Sequence, residues 1–280
     1  MPAVDYRDQT TLVTGASSGI GAEFARQLAA RGSDLVLVAR RRDRLDALAA
    51  ELVAAHGVRA TVIPLDLGEP SAVADLVAEL DRQGLRVTSL VNNAGFATHS
   101  PFHDEDPDRV REEITLNVLA LVELTHALID DLRAAGNGVL VNLSSIAAYQ
   151  GNPNLAVYGA TKAFVLSFTE ALWGEARGTG LRVLALSPGA TETEFFDVAQ
   201  WRTSGGGTRR QTVEQVVATA LRTLDRRNPP PSVVSGAANR AFVAVSRLLT
   251  RRRLALLLGA LMRRPEDDPA PARGGRVRGR

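Results

Sequence analysis

The run TLVTGASSGIGAEFARQLAARG, residues 11–32, decides how the rest of the chain is read. A short β-favouring stretch leads straight into Gly15, Gly19 and Gly21, and a helical period follows at once. A strand that turns through glycines into a helix N-terminus is the setting in which dinucleotides bind. Glycine permits the tight turn and a close backbone approach, and the free amides at the positive end of the helix meet a pyrophosphate. The three glycines, with Ser17, Ser18 and Ile20 between them, are the first candidate cofactor contacts. A turn that needs glycine for conformation alone would look the same here. Gly15 to Gly19 also spell G-x-S-x-G, the turn that carries a hydrolase nucleophile. A serine hydrolase using Ser17 would have its nucleophile on the first strand, with no earlier strand and loop to supply a second oxyanion donor, and would leave every later motif without a role.

Outward from this stretch, short β-rich runs alternate with longer segments of helical period. TTLVTG, DLVLVAR, RATVIPLDL, SLVNNAG, GVLVNLSS and RVLALSPG are the strand candidates, apolar on both faces as strands covered on both sides are. Helices are expected at about 19–31, 42–56, 70–83, 107–134 and 154–178, each long enough to cross back over a parallel sheet. The implied architecture is a doubly wound α/β sheet of the Rossmann type in one domain, residues 8–237. After Gly189 comes a loop of about 20 residues, then a helix from Thr212 and a last short strand at 232–236. Residues 238–262 read as a C-terminal helical extension with Arg240, Arg247 and Arg251 on one face, and 263–280 as a disordered basic tail rich in Pro, Gly and Arg.

Composition narrows the classes. Cysteine is absent, which excludes disulfides, thiolate metal sites and thiol nucleophiles, and no secretory signal is expected from MPAVDYRDQT, so a cytoplasmic enzyme is the default. His99 and His103 are four apart, but Pro101 between them argues against a helix and no further ligand is evident, so no metal is expected. Charge is split: residues 1–239 carry 22 basic and 28 acidic side chains, residues 240–280 carry 11 and 3. No nucleic-acid partner is expected, and only the C-terminal end would meet an anionic surface. Its longest apolar run, Leu254 to Met262, is nine residues, too short to span a bilayer. Packing on the body or on a second subunit is the expected use of this segment, with peripheral membrane contact as the lesser reading.

Two further patterns concern chemistry. At the end of the second strand, where an acid would bind the ribose of NAD, stands Ala39, followed by Arg40, Arg41 and Arg42. Cations there favour a 2′-phosphate, hence NADP(H), with Arg40 the leading candidate and Arg42 and Arg44 read as solvated surface. Tyr158 and Lys162 are four apart on a helix and share one face, so an ammonium lies within reach of a phenol. Of 33 basic residues 32 are arginine, and the single lysine is Lys162, which hints that this position requires an ammonium.

Ser145, thirteen residues before Tyr158, joins NNAG at 92–95 and Asn117 in a set that resembles the short-chain dehydrogenase/reductase family, more its ketoacyl reductase-like members than its compact sugar reductases. The likeness spans residue 10 to about 195, with TGASSGIG, NNAG and Ser145 before YGATK as its motifs. It implies that Asp66 and Leu67 contact adenine, that Asn93, Ala94 and Gly95 line the adenosine ribose, and that Pro188, Gly189, Thr191 and Thr193 hold the nicotinamide end. It also implies that Ser145 hydrogen-bonds the substrate oxygen, Tyr158 transfers the proton, Lys162 binds ribose and lowers the tyrosine pKa, and Asn117 holds a water relay. Substrate contacts are expected from Phe96, Gln150, Phe195 and Phe196. The expected activity is NADP(H)-dependent interconversion of a carbonyl and a secondary alcohol, reducing a hydrophobic or acyl-chain ketone, in a homodimer or homotetramer. A steroid or xenobiotic carbonyl is the alternative, and a non-catalytic nucleotide sensor the reading from another class, although such proteins lose the tyrosine and lysine kept here.

Overall fold

In the computed structural model, residues 4–195 and 210–262 are described. The strand-like runs become β1 (Thr10–Thr14), β2 (Asp34–Ala39), β3 (Ala60–Pro64), β4 (Ser89–Asn92), β5 (Val139–Leu143), β6 (Arg182–Ser187) and β7 (Ser232–Val234). They form one sheet in the order β3-β2-β1-β4-β5-β6-β7, every pair parallel. The crossovers are α1 (Gly19–Ala29), α2 (Arg42–His56), α3 (Ala72–Arg82), α4 (Pro107–Ile114), α5 (Ala120–Ala134), α6 (Ala156–Glu175) and α7 (Val213–Leu224), and the chain goes on to α8 (Ala237–Ser246) and α9 (Arg251–Met262).

The apolar runs are explained by cover on both faces. Phe24, Leu45 and Leu52 of α1 and α2 pack with Val216 and Leu221 of α7 on one side, and Leu76, Leu124 and Leu128 of α3 and α5 lie on the other. Every residue of β5 and β6 is buried. Because strand order reverses between β1 and β4, the loops leaving their C-terminal ends diverge and open a crevice.

Three expectations change. The single helix over 107–134 is interrupted by a π turn, Thr115–Leu119, between α4 and α5. A π turn is an inserted residue inside an otherwise helical period, so apolar spacing does not reveal it. The helix expected over 154–178 is shorter, ending at Glu175. The C-terminal extension is two helices rather than one: the Ser246 hydroxyl closes α8 by donating to the Val243 carbonyl, and the Thr250 hydroxyl accepts from the Arg253 amide at the start of α9. Arg240 and Arg251 therefore sit on different helices and share no common face. The tail from residue 263, and Phe196 with the loop through 209, lie outside the described residues.

Candidate active site

The crevice holds a cleft of about 800 Å³ that runs from the glycine turn to the helical cap. At the glycine end, Gly15 and Gly19 have φ of +64° and +56°, conformations that side chains resist. Gly21 is required by proximity, since a Cβ there would lie 2.5 Å from Asn93 Nδ2 and against the Gly15 carbonyl. The Ser18 hydroxyl does not cap α1. Thr14 ties the neighbouring loop to β1, its Oγ1 accepting from the amides of Asn93 at 2.9 Å and Ala94 at 3.0 Å, while Asn93 Nδ2 donates to the Thr14 carbonyl at 2.9 Å. Asp66 and Leu67 line the same end.

Arg41 is the arginine that faces the glycine turn: it donates to Ser17 Oγ at 3.0 and 3.2 Å and to Ser18 Oγ at 2.8 Å. Arg40 lines the rim but is largely exposed and reaches Asp66 at 3.4 Å. Arg44, read from the sequence as solvated surface, is partly exposed and pairs with Glu194 at 2.7 Å, which also accepts from Arg41 at 2.9 Å. The two guanidiniums, Arg44 first, hold the Glu194 carboxyl down to about 2. The Ser17 hydroxyl thus meets a guanidinium and not the base a nucleophile would need.

From β6, the Pro188 carbonyl accepts from the Ile146 amide at 3.0 Å, and Thr191 is buried with its hydroxyl on the Gly189 carbonyl. A Cβ on Gly19 would lie 3.0 Å from Thr193 Cγ2, so this segment closes over the glycine turn. Gly189 admits no side chain because Asn239 of α8 lies against it.

In the middle of the cleft the four motif residues converge. Ser145, at the end of β5, accepts from the Ala147 amide at 3.1 Å and hydrogen-bonds the Tyr158 phenol. Lys162, one turn further along α6, donates to the Leu143 carbonyl at 2.8 Å and lies 5.8 Å from the Tyr158 ring centre. Asn117 is fully buried on the π turn, with Oδ1 accepting from the Phe96 amide at 3.1 Å and Nδ2 donating to the Phe96 carbonyl at 2.9 Å and Thr161 Oγ1 at 3.2 Å. Gly95 leaves room for this meeting: a Cβ there would lie 2.7 Å from Asn117 Oδ1 and 3.4 Å from Lys162 Nζ. Burial pushes Tyr158 up to about 12, against the pull of its Ser145 hydrogen bond, and pushes Lys162 down to about 8.

Beyond Tyr158 the lining turns apolar. Phe195 packs on the Tyr158 ring at 5.5 Å between centres, and Phe96 lies under the Arg109 guanidinium at 4.5 Å. Gln150 donates to Asn152 at 3.1 Å. Leu155, Phe242 and Leu258 complete this end, and none of the three stands in a motif. Phe242 and Leu258 come from α8 and α9, so only the three-dimensional return of the C-terminal helices reveals them. Glu113 was also missed, although its place one turn before Asn117 was a signal.

The model of the short chain dehydrogenase family matches residues 9–202. Sulfoacetaldehyde reductase 2 of Chromohalobacter salexigens is 42% identical over 186 residues, which is 66% of this chain and 73% of that one. The very-long-chain 3-oxoacyl-CoA reductase of Anas platyrhynchos is 32% identical over 193 residues, 68% of this chain and 62% of that one. Among solved structures, a short-chain dehydrogenase from Sphingobium yanoikuyae in complex with NADPH aligns with a TM-score of 0.74 at 34% identity, covering 94% of this chain and 99% of that one.

Proposed function

The chain belongs to the short-chain dehydrogenase family and is an oxidoreductase, and from that premise we propose that it reduces a hydrophobic or acyl-chain ketone with NADPH. The observation that carries the substrate class is the apolar lining past Tyr158, from Phe96, Leu155, Phe195, Phe242 and Leu258. The similarity to a long-chain 3-oxoacyl-CoA reductase agrees with it. A small sulfonated aldehyde, as acted on by the Chromohalobacter relative, would leave most of that lining wet. The NADPH reading is supported by Ala39, by Arg41 against the Ser17 and Ser18 hydroxyls, and by the NADPH-bound structure that the chain resembles.

The residues present fit a dinucleotide. Gly15 and Gly21 let the glycine turn and the Asn93 loop come together where a Cβ would collide, and Asp66, Leu67, Asn93, Ala94, Gly95, Gly189, Thr191 and Thr193 line the cleft around that turn. The cofactor supplies the hydride when bound. Ser145 orients the substrate oxygen by hydrogen bonding, and Tyr158 delivers a proton from its phenol oxygen to that oxygen. Burial holds Tyr158 up at about 12, so the phenol carries the proton that reduction delivers to the substrate oxygen. Lys162, fixed by Leu143, keeps its remaining protons for the ribose hydroxyls and places positive charge beside the phenolate that donation leaves. A relay at Asn117 would run through its backbone, since its amide is spent on Phe96 and Thr161.

Exposed Ile114, Leu119 and Phe164 along α4 to α6 are the surfaces on which the expected homodimer or homotetramer would form. Cytoplasmic residence stays part of this reading. The test follows NADPH loss with ketones of increasing acyl length alongside a sulfonated aldehyde, using Tyr158→Phe as control. Turnover should rise with apolar length, and Tyr158→Phe should lower it by roughly a thousandfold or more while keeping cofactor affinity. A preference for the sulfonated aldehyde would reject the substrate class, and an active Tyr158→Phe enzyme would reject Tyr158 as the acid.

A further inference from the structure

Glu113 of α4 is a carboxyl with no exposed surface, set one turn before Asn117. One oxygen, Oε2, accepts from the Thr98 amide at 3.1 Å and the Thr98 hydroxyl at 2.8 Å. The other, Oε1, is buried without a hydrogen-bond partner. Leaving a carboxyl oxygen bare inside a protein costs about 1 to 3 kcal/mol, so an apolar residue would serve α4 better if packing were the only demand. Across from α4 packs α6, which carries Tyr158 and Lys162. Lys162 is itself buried, its ammonium satisfied by a single carbonyl, and Glu113 is the carboxylate whose charge acts on it.

We propose that Glu113 is a positioning residue of the reaction, a buried carboxylate that supplies the counter-charge to the Lys162 ammonium and so sets where the Tyr158–Lys162 pair holds its protons. A buried ammonium without a counter-ion tends to lose its proton, and a neutral lysine cannot support a phenolate. Thr98 fixes the carboxyl, and Asn117, on the same side of α4 and its π turn, fixes Phe96; together they bind the loop after β4 to the helix beneath the catalytic pair. The groups that act on Glu113 are few. Burial holds its carboxyl above the usual range, the Thr98 hydrogen bonds oppose this, Glu105 ahead of α4 adds to the rise, and Lys162 of α6 lowers it. In turn Glu113 raises both Tyr158 and Lys162, so losing its charge moves both in one direction.

The inference rests on Tyr158 and Lys162 being the proton-transfer pair. Glu113→Gln keeps an oxygen for Thr98 and removes only the charge. Reduction requires the proton on Tyr158, and without the carboxylate that proton leaves at lower pH. The alkaline limb of the kcat profile should therefore shift to lower pH, with NADPH affinity at pH 7 within about twofold. Glu113→Asp, which keeps the charge, should restore most of the shift. An unchanged limb in Glu113→Gln, in an enzyme that Tyr158→Phe silences, overturns this inference alone; an active Tyr158→Phe enzyme overturns the reading beneath it. Thermal unfolding gives a readout without turnover. Lys162→Met and Glu113→Gln each strand a partner, so the double variant should unfold at a higher temperature than the two single losses add up to. A double variant that is merely additive, or that fails to fold, counts against the pair.

Discussion

At the scale of single residues, cofactor choice turns on which arginine reaches the glycine turn. The sequence pattern at 39–42 points to a 2′-phosphate, and one-dimensional order favours Arg40 because it directly follows the position of the missing acid. In three dimensions Arg40 is 74% exposed and its contact with Asp66 is long, the kind of surface pair that contributes little. Arg41 turns inward onto Ser17 and Ser18, where a phosphate could replace the hydroxyls as acceptor. Arg41→Ala should weaken NADPH binding by about ten- to a hundredfold, as the loss of a charge-assisted contact does, and leave NADH within about twofold. Arg40→Ala should have the smaller effect. Titration of both cofactors checks this: if the unmodified protein binds them equally, the 2′-phosphate reading fails, and if Arg40→Ala is the more damaging, the placement of Arg41 is at fault.

At the scale of elements, what was legible in the sequence was whatever local pattern encodes. Six runs apolar on both faces became β1 to β6, the last short run became β7, and the Thr212 start of α7 was marked by a side chain that accepts from the Gln215 amide. Ser145, Tyr158 and Lys162 could be paired because strand end and helix pitch fix their directions. The unreadable parts depend on contacts between distant segments. Nothing in LNVLA announces a π turn, and Asn117 is held on that turn because Phe96, 21 residues away, takes both ends of its amide. Packing of α8 and α9 on the body was expected from the sequence, but not which residues, Phe242 and Leu258, they bring to the cleft. One substitution reads out that packing: Leu258→Ala, on the buried side of α9, should cost about 2 kcal/mol or more of local packing and raise KM for a long-chain ketone by roughly tenfold. Its kcat should stay near the original, since no group at Tyr158 changes. A fall in kcat with KM unmoved would mean that α9 acts on the chemistry and not on the substrate's apolar end.

At the scale of the whole molecule, the C-terminal helices have two faces, and only the inner one is accounted for. Val243, Ser246, Leu254 and Leu258 are buried against the body, which is the packing role expected of the segment. On the outside, Leu248 is 84% and Leu256 65% exposed, with Leu257 and Val245 also in solvent, and Arg247, Arg251, Arg252 and Arg253 stand among them. No described helix is long and apolar enough to cross a membrane. Exposed leucines interleaved with arginines suit the boundary of an anionic bilayer instead, where apolar side chains sink a short way and guanidiniums meet phosphates. The same helices line the apolar end of the cleft, so a molecule resting on a bilayer through α9 would present that end to lipid. We therefore expect the full-length protein to sediment with vesicles containing an anionic phospholipid at low salt, and less so as salt screens the arginines. Neutral vesicles should leave it in the supernatant. A chain carrying Leu248→Ser and Leu256→Ser alters the outer face and leaves the inner one. If that chain stays folded and no longer sediments, the outer face is an interfacial anchor; if the full-length protein ignores anionic vesicles at low salt, the outward leucines have some other cover and the membrane reading fails.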